Sequence, residues 1–262
     1  MSFLTPIHMN LNINIKNCAS ACNNLGTCYE EGNGVIKDLG IAKEFYKRGA
    51  LQSNPSAMSN YAYLLCKEND YVNGMQYFNI AHSYGCPDAA FQLGMIYENG
   101  CSDSNEFTIK SDICMALLYY KSAMQNGHVK SMLRAGVIYL SGPNEIQDIK
   151  KAMDLIKQVA DQGNADAIVL YGKLHLVKEE TLGMNSTIRP GKWDPVNALQ
   201  WFKKAITLGH PGAFYYVGTI YEFGSGVNVN LKLAIKMYSQ SAKLGFKTAI
   251  ERVNDLEELG IM

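Results

Sequence analysis

From Ala21 onward, apolar and small residues recur in steps of three, four and five rather than in alternation. In ACNNLGTCYEEGNGV, Ala21, Leu25, Gly26 and Tyr29 fall at i, i+4, i+5 and i+8, which is one face of a helix. The same face returns in AMSNYAYLLCKE from Ala57, AAFQLGMIYENG from Ala89, SMLRAGVIYLSG from Ser131, AIVLYGKLHLVK from Ala167 and AFYYVGTIYEFGSGV from Ala213. Each is followed by a second helical stretch, such as ALQWFKKAITLGHPGA, where Ala198, Trp201, Phe202 and Ala205 keep the same steps. Period-two alternation, the sign of a strand, occurs only in LNINIK near the N-terminus.

Successive starts lie 32 to 46 residues apart, the period of a solenoid. The pattern predicts an all-α chain of six helix pairs starting near 21, 57, 89, 131, 167 and 213. A capping helix follows from 249, its outer side made polar by Glu251, Asp255, Glu257 and Glu258. Residues 1–17 read as a tail and 18–262 as one repeat domain. Gly26, Ala62, Gly94, Gly136, Gly172 and Gly218 share one register, where a small residue lets two helix backbones approach. Gly136→Val is therefore expected to cost on the order of 1–3 kcal/mol by overpacking. Three residues later Tyr29, Leu65, Tyr97, Tyr139, His175 and Tyr221 are expected to wedge between helices. Gly32, Gly100, Gly142 and Gly224 are placed to end first helices in the left-handed conformation, and Pro55, Pro87 and Pro211 to open the next ones.

The pattern, A-x3-LG-x2-Y-x2-G-x-GV followed by A-x2-WY-x2-A-x3-G-x3-A, resembles the Sel1-like repeat family over residues 18–256. The resemblance implies antiparallel helix pairs stacked into a right-handed α/α superhelix, a relative of the tetratricopeptide fold. It also implies protein–protein interaction and no shared chemistry. One branch of the family is secreted and carries a disulfide in each repeat, between cysteines eight residues apart. The matching positions here, such as His82 and Ala90 or Ile206 and Phe214, hold no cysteine pair. That departure, with seven cysteines in all, sets the expectation of reduced thiols.

Composition changes the picture little. With 24 basic and 24 acidic residues the formal charge is zero, so the field expected of a dedicated nucleic-acid binder is missing. No apolar run approaches the ~18 residues of a membrane span. The start, MSFLTPIHMNLNINIKN, does not read as a secretory signal. A cytoplasmic location is expected, with delivery into a host cell a compatible variant.

Candidate chemistry is sparse. GSG at Gly224–Gly226 has a counterpart in GNG at Gly32–Gly34, and a helix precedes each, so both read as inter-helix turns rather than phosphate loops. Cys18 and Cys22 are one helical turn apart and could be half of a metal site with His8; packed thiols are the plainer reading. His175 stands at a wedge position and reads as a hydrogen-bonded core imidazole, and no Ser/His/Asp order or paired-carboxylate signature stands out. Asn185 heads a glycosylation sequon. The expectation is no enzyme, no cofactor and no metal. The alternative is a metal-binding or enzymatic protein using the Cys18/Cys22 end or the 181–193 insertion.

By analogy with tetratricopeptide superhelices, the concave positions lie two, three, six, nine and ten residues after each repeat start. In the first two repeats they are polar, including Asn23, Asn24, Tyr63, Cys66 and Lys67. From the third on they turn apolar, and the expected partner-binding groove comprises Phe91, Met95, Leu133, Arg134, Val137, Val169, Leu170, Lys173, Tyr215, Tyr216 and Phe223. Arg134 and Lys173 flank the strip, so the expected occupant is an acidic-amphipathic peptide or helix of another protein. The competing occupants are the insertions at 101–113 and 178–195, or a second copy of the chain in a homodimer.

Overall fold

The computed structural model describes residues 18–102, 107–176 and 193–261. It divides into two compact units, one up to Ser131 and one from Met132. Unit 1 holds α1 (Ala19–Glu31), α2 (Leu39–Leu51), α3 (Pro55–Lys67), α4 (Tyr71–Ser83), α5 (Pro87–Asn99) and α6 (Ile113–Gln125). A short antiparallel pair, β1 (Cys101–Ser102) with β2 (Thr108–Ile109), interrupts the α5–α6 connection. The division falls in the first turn of α7 (Val129–Ser141); unit 2 continues with α8 (Ile149–Asp161), α9 (Ala165–Leu174), α10 (Pro195–Thr207), α11 (Pro211–Phe223), α12 (Leu231–Lys243) and α13 (Lys247–Glu258). These thirteen helices among the described residues form the all-α array of helix pairs with a closing helix that the repeat pattern implied. The strand-like LNINIK segment lies outside the described residues.

In unit 1 each first helix packs on its own second helix, each second helix on the next first helix, and α1, α3 and α5 also touch in sequence. The key to the pair is the small residue of the first helix. A Cβ built on Gly26 would lie 2.5 Å from the Tyr46 ring, and one on Gly94 2.5 Å from Tyr120. In unit 2 the same holds for Gly172 against Phe202 at 2.7 Å and Gly218 against Tyr238 at 2.6 Å. The close approach is thus backbone against ring, not backbone against backbone as the pattern suggested. The second-helix aromatics Tyr46, Tyr120, Phe202 and Tyr238 are fully buried, and each needs a flat, side-chain-free seat. The second repeat swaps the parts: Ala62 replaces the glycine, and Gly74 stands where other second helices carry Ala42, Ala116 or Ala198. A Cβ on Gly74 would collide with Cys66 Sγ.

The buried tyrosines keep one polar atom to satisfy. Tyr46 donates its hydroxyl to Glu30 Oε2 at 2.7 Å, Tyr120 to Glu98 at 2.5 Å and Tyr238 to Glu222 at 2.5 Å. All three glutamates sit nine residues after their repeat start, a position expected to face a partner; here it serves the core. Arg252 of α13 also binds Glu222, which ties the closing helix to the last pair. On α13, Ala249 and Leu256 are buried, while Glu251, Asp255, Glu257 and Glu258 face solvent.

Helix ends follow local chemistry. Every second helix opens on an Asp or Asn whose side chain accepts from the backbone N–H three residues on: Asp38, Asp70, Asp112, Asp148, Asp194 and Asn230. Pro55, Pro87 and Pro211 open first helices as expected. Of the four glycines expected to end first helices left-handed, Gly32 and Gly224 do so. Gly142 does not, since its φ is not positive, and Gly100 (φ 72°, ψ 168°) leads into the β pair.

Candidate interaction surface

The register nine residues after each repeat start reads Glu30, Cys66, Glu98, Leu140, Leu176 and Glu222. Glutamate occurs where the second helix offers a tyrosine hydroxyl; leucine occurs where it offers Ile156 or Phe202, which have none. Cysteine, the smallest of the set, occurs opposite Phe78. A void follows from that substitution. In unit 1 a pocket of about 360 Å³ opens between α3 and α5, bordered by Tyr63, Cys66 and Lys67 from one and Gln92, Met95 and Asn99 from the other. These are the concave register positions of two successive first helices. Met95 belongs to the expected groove, whereas Tyr63, Cys66 and Lys67 come from the face read as polar. Phe78 lies beneath, and Cys101, the first residue of the insertion, forms one edge. Burial pushes the Cys66 thiol up to about 12, so it stays neutral. The Lys67 amine lies 4.7 Å over the Tyr63 ring.

The remaining expected groove residues separate. Phe91 is engaged inside unit 1, 4.7 Å from the His128 ring and 5.8 Å from Tyr120. In unit 2, Val169 is a core residue at 6% exposure, whereas Leu133, Arg134, Val137 and Leu170 are half-buried. Tyr216 stacks on Phe202 at 5.2 Å, meets Tyr215 edge-on at 5.4 Å, and carries the exposed Lys173 amine over its face at 5.4 Å. Tyr215 is held in turn by Tyr238 and Phe246. Phe223, one helix end away, is 70% exposed. Val177, Asn185, His8 and most of the 181–193 insertion lie outside the described residues.

One constellation imitates a catalytic site. Ser131 Oγ lies 2.8 Å from His128 Nδ1, and His128 Nε2 lies 3.3 Å from Asp88, whose carboxyl is held below its usual range chiefly by that histidine. The sequence separation of Asp88 from the other two hid it. Ser131 is at 0% exposure, so no substrate reaches its oxygen. The backbone N–H of Ser131 also donates to His128 Nδ1, which makes the histidine a helix cap. In unit 2, His210 and Asp166 repeat the link at 3.1 Å, with Ala213 in the serine's place. The pair is a clasp between successive first helices. His175 is buried, with neither ring nitrogen hydrogen-bonded among the described residues. It packs edge-on to Tyr171 at 4.9 Å instead, so the expected hydrogen-bonded core imidazole is corrected to an aromatic filler. Among the described residues no three His, Cys, Asp or Glu side chains are arranged to hold a metal ion, and no helix is long and apolar enough to cross a membrane.

Known proteins share this architecture. A crystal structure of a Sel1 repeat protein from Oxalobacter formigenes matches with TM-score 0.69 and 25% identity, over 87% of this chain and 89% of that one. A Sel1 repeat protein structure from Klebsiella pneumoniae matches with TM-score 0.50 and 20% identity, over 82% of this chain and 99% of that one, which bears on the fold alone. Among curated proteins, the chain is 28% identical over 86% of its length to the chitin synthase regulator SKT5 of Saccharomyces cerevisiae, covering 32% of that protein. It is 30% identical over 72% of its length to the DAP3-binding cell death enhancer 1 of Rattus norvegicus, covering 34% of it. The chain therefore spans about a third of the curated relatives it matches. The Sel1 repeat model matches residues 19–54, 87–128, 129–164, 186–210 and 213–246, more than half of the sequence. With the helix pairs and their ring-seating glycines, this places the chain in the Sel1 repeat family.

Proposed function

We propose that this chain is a non-catalytic adaptor that holds a segment of another protein against the accessible positions of its first helices. The observation that carries the reading is the Lys173–Tyr216–Phe202 stack of unit 2. There a tyrosine face, a cation and the exposed Phe223 share the register expected of a concave surface. Tyrosine backed by a ring offers rigid contact area at small entropic cost, and a nearby amine selects carboxylates. The contact set is Leu133, Arg134, Val137, Leu170, Lys173, Tyr215, Tyr216 and Phe223, and the fitting partner is an acidic-amphipathic segment. Two relatives bear names that speak of regulation and binding, which supports an adaptor role without naming a partner for this chain.

Affinity capture followed by titration of the recovered partner tests the reading. Tyr216→Ala or Leu133→Ala weakens the complex by about 1–3 kcal/mol, and Tyr216→Asp abolishes it. Asn24→Ala on the polar half changes little. Equal binding by all variants would move the interface off unit 2's first helices.

A further inference from the structure

We infer that the pocket between α3 and α5 is a second recognition site, which takes an apolar side chain of an extended peptide whose neighbouring residue is Asp or Glu. The inference rests on the adaptor reading and adds the partner chemistry of unit 1.

Three observations carry it. The floor is uncharged: Phe78 and Met95 line it, and the Cys66 thiol is neutral there. At about 360 Å³ the space admits a large apolar side chain together with its flanking backbone. The rim, by contrast, carries a single ionised lining residue. Lys67 is exposed and has no carboxylate partner among the described residues. The nearest acids in sequence are engaged elsewhere, Glu68 with Lys43 and Asp70 as the cap of α4. An amine over a tyrosine face with no counter-ion is complementary to a carboxylate beside the pocket. The third observation favours a peptide over a compact small molecule. The Gln92 side chain makes no hydrogen bond among the described residues, and Asn99 donates its amide nitrogen to Met95 O, which leaves its own oxygen free to accept. Amide side chains of this kind match the N–H and C=O of a backbone passing over the rim. Because α1 touches α3 and α3 touches α5, such a backbone has a continuous face to follow.

The test is selection of random peptides of about 12 residues, long enough to cross two first helices, on the whole chain. Binding of the synthesised winners is then measured. Winners are expected to pair an apolar residue with an adjacent Asp or Glu. Their affinity should fall about tenfold on Lys67→Glu and less on Lys67→Met, with the variants' melting midpoints unchanged because Lys67 is exposed. Filling the void by Met95→Trp should abolish binding, and Tyr216→Ala should leave these peptides unaffected. Winners that respond to Tyr216→Ala but not to Lys67→Glu or Met95→Trp overturn this site and leave the adaptor reading standing. No winners at either place overturns both. N-acetyl-leucine binding as tightly as the winners makes the pocket a small-molecule site. A dimer in sedimentation that Met95→Trp dissolves puts a second copy of the chain there. Either result overturns the peptide proposal.

Discussion

A Cβ at Gly94 would meet the Tyr120 ring at 2.5 Å, whereas one at Gly136 would meet Ile156 Cγ1 at 2.9 Å. The ring is rigid and its hydroxyl is tied to Glu98, while the isoleucine can change rotamer. Gly94→Ala should therefore cost about 1–3 kcal/mol in chemical denaturation, and Gly136→Ala distinctly less. Equal costs would mean that the seat is set by backbone contact after all. His175 supplies a pH-dependent term. Burial lowers its pKa below the ordinary value, so above about pH 6.5 it is neutral in both the folded and unfolded chain and costs nothing. As the pH falls through the unfolded value, the unfolded chain takes up the proton first and stability is lost until the folded value is passed. His175→Leu, which installs the residue that Leu65 provides in the second repeat, should flatten the fall in melting midpoint between about pH 7.5 and about pH 5. The same slope in both proteins would remove His175 as its cause.

At the scale of the helix pair, the repeat is a matched set rather than a list of favourable residues. Tyr46, Tyr120 and Tyr238 go with Glu30, Glu98 and Glu222; Ile156 and Phe202 go with Leu140 and Leu176. A hydroxyl that donates a hydrogen bond to a half-buried carboxylate stabilises the pair, and removing either partner costs the other its strongest contact. Tyr46→Phe should cost about 1–2 kcal/mol because Glu30 loses its donor. Adding Glu30→Leu should restore most of it, since Phe with Leu is the combination the fifth repeat already uses. Additive losses in the double-mutant cycle would show that the two residues are not coupled. This correlation is present in the sequence but lies across two helices, so it emerges only when the repeats are aligned pair by pair. The Asp and Asn caps of the second helices are equally legible in the sequence, one before each apolar stripe.

For the whole chain, none of the seven cysteines, all among the described residues, is in a disulfide, with Cys18 and Cys114 exposed and Cys22 and Cys86 buried. Burial raises the pKa of the Cys22, Cys66 and Cys86 thiols, which makes them poor nucleophiles. Titration with a thiol reagent should give seven groups in the denatured, unreduced chain, with Cys18 and Cys114 reacting first in the folded one. Fewer than seven would place disulfides in a chain whose repeats lack the paired positions. At this scale the expected apolar strip also takes a different form. Phe91 and Met95 lie in unit 1 and the other nine residues in unit 2, with Phe91 and Val169 spent on packing.

Helix number, order and pairing were determined by the sequence alone, because a repeat that cannot bury its apolar stripe by itself must write that stripe into every copy. The small residue at Gly26 and its equivalents was likewise plain in the sequence; what it seats was not, since a ring and a backbone impose the same demand for a missing Cβ. The pocket at Cys66 belongs wholly to the tertiary structure. It is the space left where a short side chain meets Phe78 across two helices and the swapped Gly74 lets Cys66 turn inward. A void has no residue of its own, so only the packing of its neighbours brings it into being.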